Sequence, residues 1–216
     1  LTHYNVLNNG FFIGENMRMS ERDRYLICVP FFHCFGMVLS ILNCVTHATC
    51  MVVVDVYSPT AVMEAIQEER CTAVNGVPTM FIFMLEHPDY KKYNLSSLRT
   101  GIMAGSNCPV KLMRQCAEEM YMTGIVSVYG LTESSPGITT SDLDDTLEQR
   151  TTTVGRSLPH CEAKVVNPET MEELPPNQPG EIVTRGYHIM RGYYNMPEAT
   201  KAAITEDGWL HSGDIG

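Results

Sequence analysis

Ile125-Val126-Ser127-Val128-Tyr129-Gly130-Leu131-Thr132-Glu133-Ser134 is the stretch on which the reading of this chain turns. The run Ile125 to Val128 has the length and β-branched content of a buried strand. Where that strand should end, the chain delivers an aromatic ring, a glycine, a hydroxyl and a carboxylate. Such a set can hold a nucleotide: the ring stacks on a base, the threonine donates to a phosphate, and the carboxylate holds the magnesium that accompanies a polyphosphate. Taken alone, the same residues also describe an ordinary strand-to-loop turn with a solvated glutamate.

Upstream of this run the chain alternates short apolar segments with longer amphipathic ones, the βα rhythm of a parallel sheet. Thr2 caps a helix expected through Asn8, and Arg24 to Val29 reads as a strand. Phe35 to Val45 reads as a buried helix and Thr49 to Val54 as the next strand. Ser58, with Pro59 at the first helical position, marks a helix start. Thr72 to Val74 follows as a strand, Pro78 to Leu85 as a helix, Arg99 to Ala104 as a strand and Pro109 to Met120 as a helix.

Downstream the rhythm changes. Ser134 to Thr153 is rich in Ser, Thr and Asp and is expected to be a long loop and a boundary. Cys161 to Val166, Gly180 to Arg185 and the Tyr193-Tyr194 region are expected as strands separated by Pro/Gly turns such as Leu174 to Gly180. The expected fold class is α/β: a parallel-sheet βα subdomain over residues 1–150, followed by an incomplete β-rich subdomain over 151–216.

The 216 residues, 44% hydrophobic and 19% charged, suffice for a real core. The formal net charge of −10 opposes attraction to nucleic acid or an anionic membrane, and no basic cluster offsets it, so no nucleic-acid partner is expected. No apolar stretch reaches the roughly 20 residues of an integral membrane segment. Eight cysteines without a C-x-x-C pair read as buried free thiols, which suits a reducing compartment and a cytoplasmic location. His33 and His47 near Cys28, Cys34 and Cys44 do not reproduce a structural zinc spacing.

In open parallel sheets ligands bind outside the carboxyl ends of the strands. Those ends are Pro30 to His33, Asn75 to Pro78, Gly105-Ser106-Asn107 and Tyr129 to Glu133. Gly105-Ser106-Asn107 allows close backbone approach and brings two small polar side chains before the helix begun by Pro109; a routine Ser or Asx cap is the plain alternative. Lone aromatics such as Tyr193, Tyr194 and Trp209 read as packing residues. Phe31, Phe35, Met37, Met80, Phe81 and Met84 are expected to form an apolar slot, or else the packed faces of their helices.

Further segments complete a pattern. Leu1-Thr2-His3-Tyr4-Asn5, Pro30-Phe31-Phe32-His33 with Gly36, the Tyr129 run, Gly180 to Gly186 with Gly192-Tyr193-Tyr194-Asn195, and Gly208 to Gly216 occur in one order. In that order the chain resembles the adenylate-forming superfamily, which includes acyl- and aryl-CoA synthetases, firefly-type luciferases and peptide-synthetase adenylation domains. The resemblance implies the large N-terminal domain of an acyl-CoA synthetase, using ATP, Mg²⁺ and CoA on a small carboxylic acid. It implies that Tyr129 stacks on adenine, Thr132 contacts the α-phosphate, Glu133 binds the metal and Asp214 binds ribose. Gly105, Ser106, Asn107, Gly130 and Leu131 complete the implied nucleotide site. His33, Phe35, Gly36 and Val77 fall along the implied acyl and CoA channel.

Amino-acid-activating relatives carry an aspartate at the position of His33; no carboxylate occurs from Pro30 through Gly36, which favours an acid with an uncharged tail, and a medium- or long-chain fatty acid is the expected class. An aryl acid, a luciferase-like reaction, or a non-catalytic nucleotide-binding protein of the same fold are the alternatives. The resemblance places the family's phosphate loop before Leu1 and its catalytic lysine after Gly216, so the chain is expected to be a middle piece that is inactive alone. The choice between CoA and a carrier protein, and the oligomeric state, stay open at this level.

Overall fold

The computed structural model describes residues 1–216. Helix α1 (His3–Asn16) starts in a capping box: the Thr2 hydroxyl accepts the Asn5 N–H at 3.2 Å, and the Asn5 side chain accepts the Thr2 N–H at 2.7 Å. It continues past the expected end at Asn8, because Gly10 and Gly14 let its backbone lie against Leu42 and His47. Strand β1 (Arg24–Ile27) follows, then one helical run made of α2 (Cys34–Gly36), a π-helical segment (Met37–Leu42) and α3 (Asn43–Thr46). Next come β2 (Cys50–Val53), α4 (Pro59–Glu69), β3 (Ala73–Val74), α5 (Pro78–Leu85), β4 (Thr100–Met103), α6 (Val110–Glu119) and β5 (Gly124–Gly130).

Strands β1 to β5 form parallel pairs in the order β2-β1-β3-β4-β5. Side chains alternate across this sheet with period two. Leu26, Met103 and Ile125 point into a core with Val62 and Ile66 of α4, Phe81 of α5 and Met113 of α6. Tyr25, Ile27, Ile102, Val126 and Val128 face the other way, onto Ile13 of α1, Phe35 of α2 and Leu39 of the π-helical segment. Helices therefore cover both faces, which is why the strands read as continuous apolar runs.

The expected loop from Ser134 to Thr153 is corrected. It contains β6 (Gly137–Thr140), antiparallel to β5, and α7 (Leu147–Thr152), capped by Thr146 and Gln149. Part of its polar content is buried rather than solvated: Ser134, Ser135, Thr140 and Ser141 are buried, and the Ser141 hydroxyl accepts the Ser127 N–H at 2.9 Å. Strand β7 (Arg156–Ser157) then pairs with β6 and ends the first sheet, and position 150 lies inside α7.

A second, antiparallel sheet follows, with β8 (Cys161–Val166), β9 (Glu181–Gly186) and β10 (Leu210–Ile215) in the order β10-β9-β8. Helix α8 (Pro197–Ala203) intervenes before β10. The strand expected at Tyr193-Tyr194 is absent: the Tyr193 N–H is taken by the Thr200 hydroxyl at 2.9 Å and cannot join a ladder. Trp209 packs on Val166 and Val183, whereas Tyr194 is 90% exposed and packs on no core.

Candidate functional site

A cleft of about 670 Å³ opens at the carboxyl ends of β4 and β5. The loop after β4 contributes Gly105, Ser106 and Asn107, β5 contributes Tyr129 and Gly130, and β10 contributes Asp214. Gly105 has φ +85°, a left-handed conformation that costs other residues energy, and a side chain there would meet Val77 Cγ1 at 3.1 Å. Gly130 is fixed by packing: a Cβ would stand 1.8 Å from the Pro136 carbonyl oxygen.

Tyr129 and Asp214 meet across the cleft. The Tyr129 hydroxyl donates to Asp214 Oδ2 at 2.8 Å. Burial first, and the adjacent Asp214 carboxylate as well, push the phenol's pKa up to about 12, so it stays protonated and donates. Asp214 sits in β10 within the irregular stretch between His211 and Ile215, and its N–H is held by the Ser212 hydroxyl at 3.1 Å.

A second cavity of about 340 Å³ adjoins the cleft and holds His33, Phe35, Leu131, Thr132 and Glu133. The two spaces share Gly105, Val128 and Gly130 as a wall. The residues nominated for the nucleotide are thus divided: Tyr129 and Asp214 line the cleft, while Leu131, Thr132 and Glu133 line the smaller cavity.

His33 is exposed and caps α2, its Nδ1 accepting the Phe35 N–H at 3.0 Å. Cys34 lies behind it, with Sγ 3.7 Å from the Thr132 hydroxyl, and burial raises its pKa. Gly36 and Val77 line neither space. A Cβ on Gly36 would stand 2.2 Å from the Pro30 carbonyl oxygen, so that glycine serves helix packing. The apolar slot is not assembled as expected either: Phe81 and Met84 are sealed in the core with α4 and α6, and Phe31 and Met37 are 45% and 38% exposed. Of that set, Phe35 alone lines the small cavity.

Sequence reasoning missed the part played by α7. Arg150 lines the cleft and anchors α7 beneath β5, donating to the Thr123 and Ile125 carbonyls at 2.7 and 3.1 Å. Burial lowers its pKa, but every close partner is an acceptor. The capping box Thr146-x-x-Gln149 was the available signal for this helix. Tyr193 was also missed, since its hydroxyl donates to Glu133 Oε1 at 2.9 Å. The cysteines are all unpaired, and five are buried as expected, but Cys50 is exposed and Cys108 and Cys161 are half-buried, which corrects the expectation of burial at those three positions.

The donor set suits one hard cation shared with a ligand. Glu133 is the single carboxylate of the small cavity, and no three metal-ligating side chains converge anywhere in the chain. Magnesium is commonly held by one or two carboxylates, with substrate phosphates and water completing six oxygen ligands. Glu133 fits that use.

A model of the AMP-binding enzyme family matches residues 1–194. The chain is 49% identical, over its whole length, to the putative acyl-CoA synthetase YngI of Bacillus subtilis, and 38% identical to the mitochondrial medium-chain acyl-CoA ligase ACSF2 of Bos taurus. It spans 39% and 36% of those two proteins. The crystal structure of ATP-bound MatB from Rhodopseudomonas palustris superposes on 100% of the chain and 42% of its own, with a TM-score of 0.89 at 25% identity. A family match over residues 1–194, on a sheet whose strand ends open into paired cavities, leads to one conclusion: the chain belongs to the AMP-binding enzyme family.

Proposed function

We propose that the full-length protein is an AMP-forming acid–thiol ligase that activates a medium- or long-chain fatty acid with ATP and transfers the acyl group to CoA. The observation that carries this reading is the shared wall between the cleft and the small cavity. A nucleotide in the cleft and an acid in the cavity would meet at Gly105, Val128 and Gly130, beside Thr132 and Glu133.

The chemistry has two steps. A carboxylate oxygen of the acid attacks the α-phosphorus of ATP, the bond from that phosphorus to the bridging oxygen breaks, and pyrophosphate leaves. The thiol of CoA then loses its proton, its sulfur attacks the acyl carbon, and AMP departs with the oxygen that bridged it. In this scheme the Tyr129 ring stacks on the base and Asp214 accepts hydrogen bonds from ribose hydroxyls. Thr132 donates to the α-phosphate, and Glu133 with the phosphates would hold Mg²⁺. Bound there, the metal supplies charge stabilisation to the phosphoryl oxygens.

Support for a fatty acid comes from the small cavity, where Phe35, Leu39 and Ala104 offer apolar surface and where, by the family resemblance, His33 replaces the carboxylate of amino-acid activators. The similarity to ACSF2 of Bos taurus, a medium-chain acyl-CoA ligase, supports the same class of acid. The proposed partners are therefore the acid, ATP and CoA, and the unpaired cysteines support a reducing, cytoplasmic location. No helix is long and apolar enough to cross a membrane.

ATP–pyrophosphate exchange by the full-length protein across octanoate, palmitate and benzoate tests this reading. Exchange with the fatty acids is expected. Exchange with benzoate alone would move the assignment to an aryl ligase, and exchange with no acid would favour a nucleotide-binding protein without this activity.

A further inference from the structure

Glu133 is gripped by a segment that belongs to neither cavity. Residues 188–193 hold the loop carrying it at three points. The Glu133 carbonyl accepts the Met190 N–H at 2.8 Å, the Ser135 hydroxyl donates to the His188 carbonyl at 2.7 Å, and the Tyr193 hydroxyl donates to Glu133 Oε1 at 2.9 Å. The segment is itself anchored. Asn5 of α1 donates to the Tyr187 and Ile189 carbonyls at 2.5 and 3.2 Å, and the Thr200 hydroxyl of α8 accepts the Tyr193 N–H.

Packing does not explain Tyr193. Its ring is 39% exposed and joins no core cluster, so the contact that distinguishes it is the one its hydroxyl makes. That bond raises the phenol's pKa and keeps it a donor. Because Oε1 is taken, the carboxylate is fixed in rotation, and Oε2 has no hydrogen bond within the chain.

We propose that Tyr193 is a positioning residue for the metal-binding function of Glu133, holding one carboxylate oxygen so that the other is presented to magnesium. This rests on the reading of Glu133 as a metal ligand. A glutamate side chain loses substantial rotamer freedom when it binds, and a partner that fixes it in advance lowers that cost. Oriented ligand groups around metals use the same device, in which an outer hydrogen bond aims the inner ligand. The phenol touches neither acid nor nucleotide in this scheme and acts through Glu133.

The test uses the full-length protein and three variants: Tyr193→Phe, Glu133→Gln and the double variant. The quantity read is the Mg²⁺ concentration that half-saturates ATP binding, followed calorimetrically, with the melting temperature of each variant as the check on folding. Tyr193→Phe is expected to raise the half-saturating Mg²⁺ by about 10-fold, in line with loss of one hydrogen bond to a charged group, while leaving metal-free ATP binding and the melting temperature near wild type. In the Glu133→Gln background the same change should have no further effect. A folded Tyr193→Phe protein with wild-type Mg²⁺ dependence, or effects that add in the double variant, would overturn the positioning role while Glu133→Gln still showed a metal defect. If Glu133→Gln itself left Mg²⁺ dependence unchanged, the metal reading of Glu133 and the role of Tyr193 would fall together.

Discussion

The Tyr129 hydroxyl and Asp214 Oδ2 lie 2.8 Å apart, joining the first sheet to the second across the cleft proposed for the nucleotide. The bond occupies one carboxylate oxygen and leaves Oδ1 open for ribose. Asp214→Ala should therefore raise the Michaelis constant for ATP, with each lost charge-assisted hydrogen bond contributing roughly 1.5 to 3 kcal/mol. Tyr129→Phe keeps the ring and should have a smaller effect. Steady-state kinetics at saturating acid measure both, and an unchanged ATP dependence in Asp214→Ala would remove the ribose role.

Glu133→Gln preserves shape and removes charge at the small cavity. Half-buried and bonded only through Oε1 to Tyr193, the side chain carries little of the core, so folding should stay near normal. Adenylation at limiting Mg²⁺ should be suppressed. Pyrophosphate exchange within a few-fold of wild type would count against a metal role.

His33→Asp makes a sharp specificity test. Aspartate is as good a helix cap as any residue, so the hydrogen bond now made by His33 to the Phe35 N–H can be replaced. What changes is a carboxylate at the edge of the apolar cavity, and fatty-acid activation should be lost. Survival of both octanoate and palmitate activity in the folded variant would make His33 a capping residue only.

His188 sets an acid limit on stability. It is fully buried, with Nε2 2.8 Å from the Thr184 hydroxyl and Nδ1 3.0 Å from Cys161 Sγ, and burial lowers its pKa from 6.5 to about 4. The unfolded chain thus binds the proton first. The contribution is fully present above 6.5 and is lost as pH falls toward about 4, by at most about 1.4 kcal/mol per unit. His188→Gln cannot take up that proton, so its melting temperature should fall less steeply over the same window. Parallel curves for the two proteins would assign the acid sensitivity to other groups.

The strands were legible because burial on both faces leaves a nearly continuous apolar signature, and α4 and α5 because Ser58 and two prolines punctuate their starts. Antiparallel β6 was not, since Gly137-Ile138-Thr139-Thr140 looks polar until its partner β5 is known. Tyr129 and Glu133 could be nominated from local sequence, and Asp214 through the family resemblance. The Tyr193 contact could not, because it joins residues 60 apart and depends on a hydroxyl rather than on the ring that made Tyr193 look like a packing residue. The apolar slot failed for a related reason: period and composition mark Phe81 and Met84 as buried, but not what they are buried against.

The most direct measurement of the central claim follows an oxygen atom. The full-length protein is given a fatty acid carrying heavy oxygen in its carboxylate, together with ATP, Mg²⁺ and CoA, and the nucleotide product is analysed by mass spectrometry. Formation of an acyl-adenylate requires one carboxylate oxygen to bond the α-phosphorus and to leave with AMP when the thiol attacks. AMP bearing one heavy oxygen is the predicted result. Unlabelled AMP, or a label found in inorganic phosphate beside ADP, would contradict it.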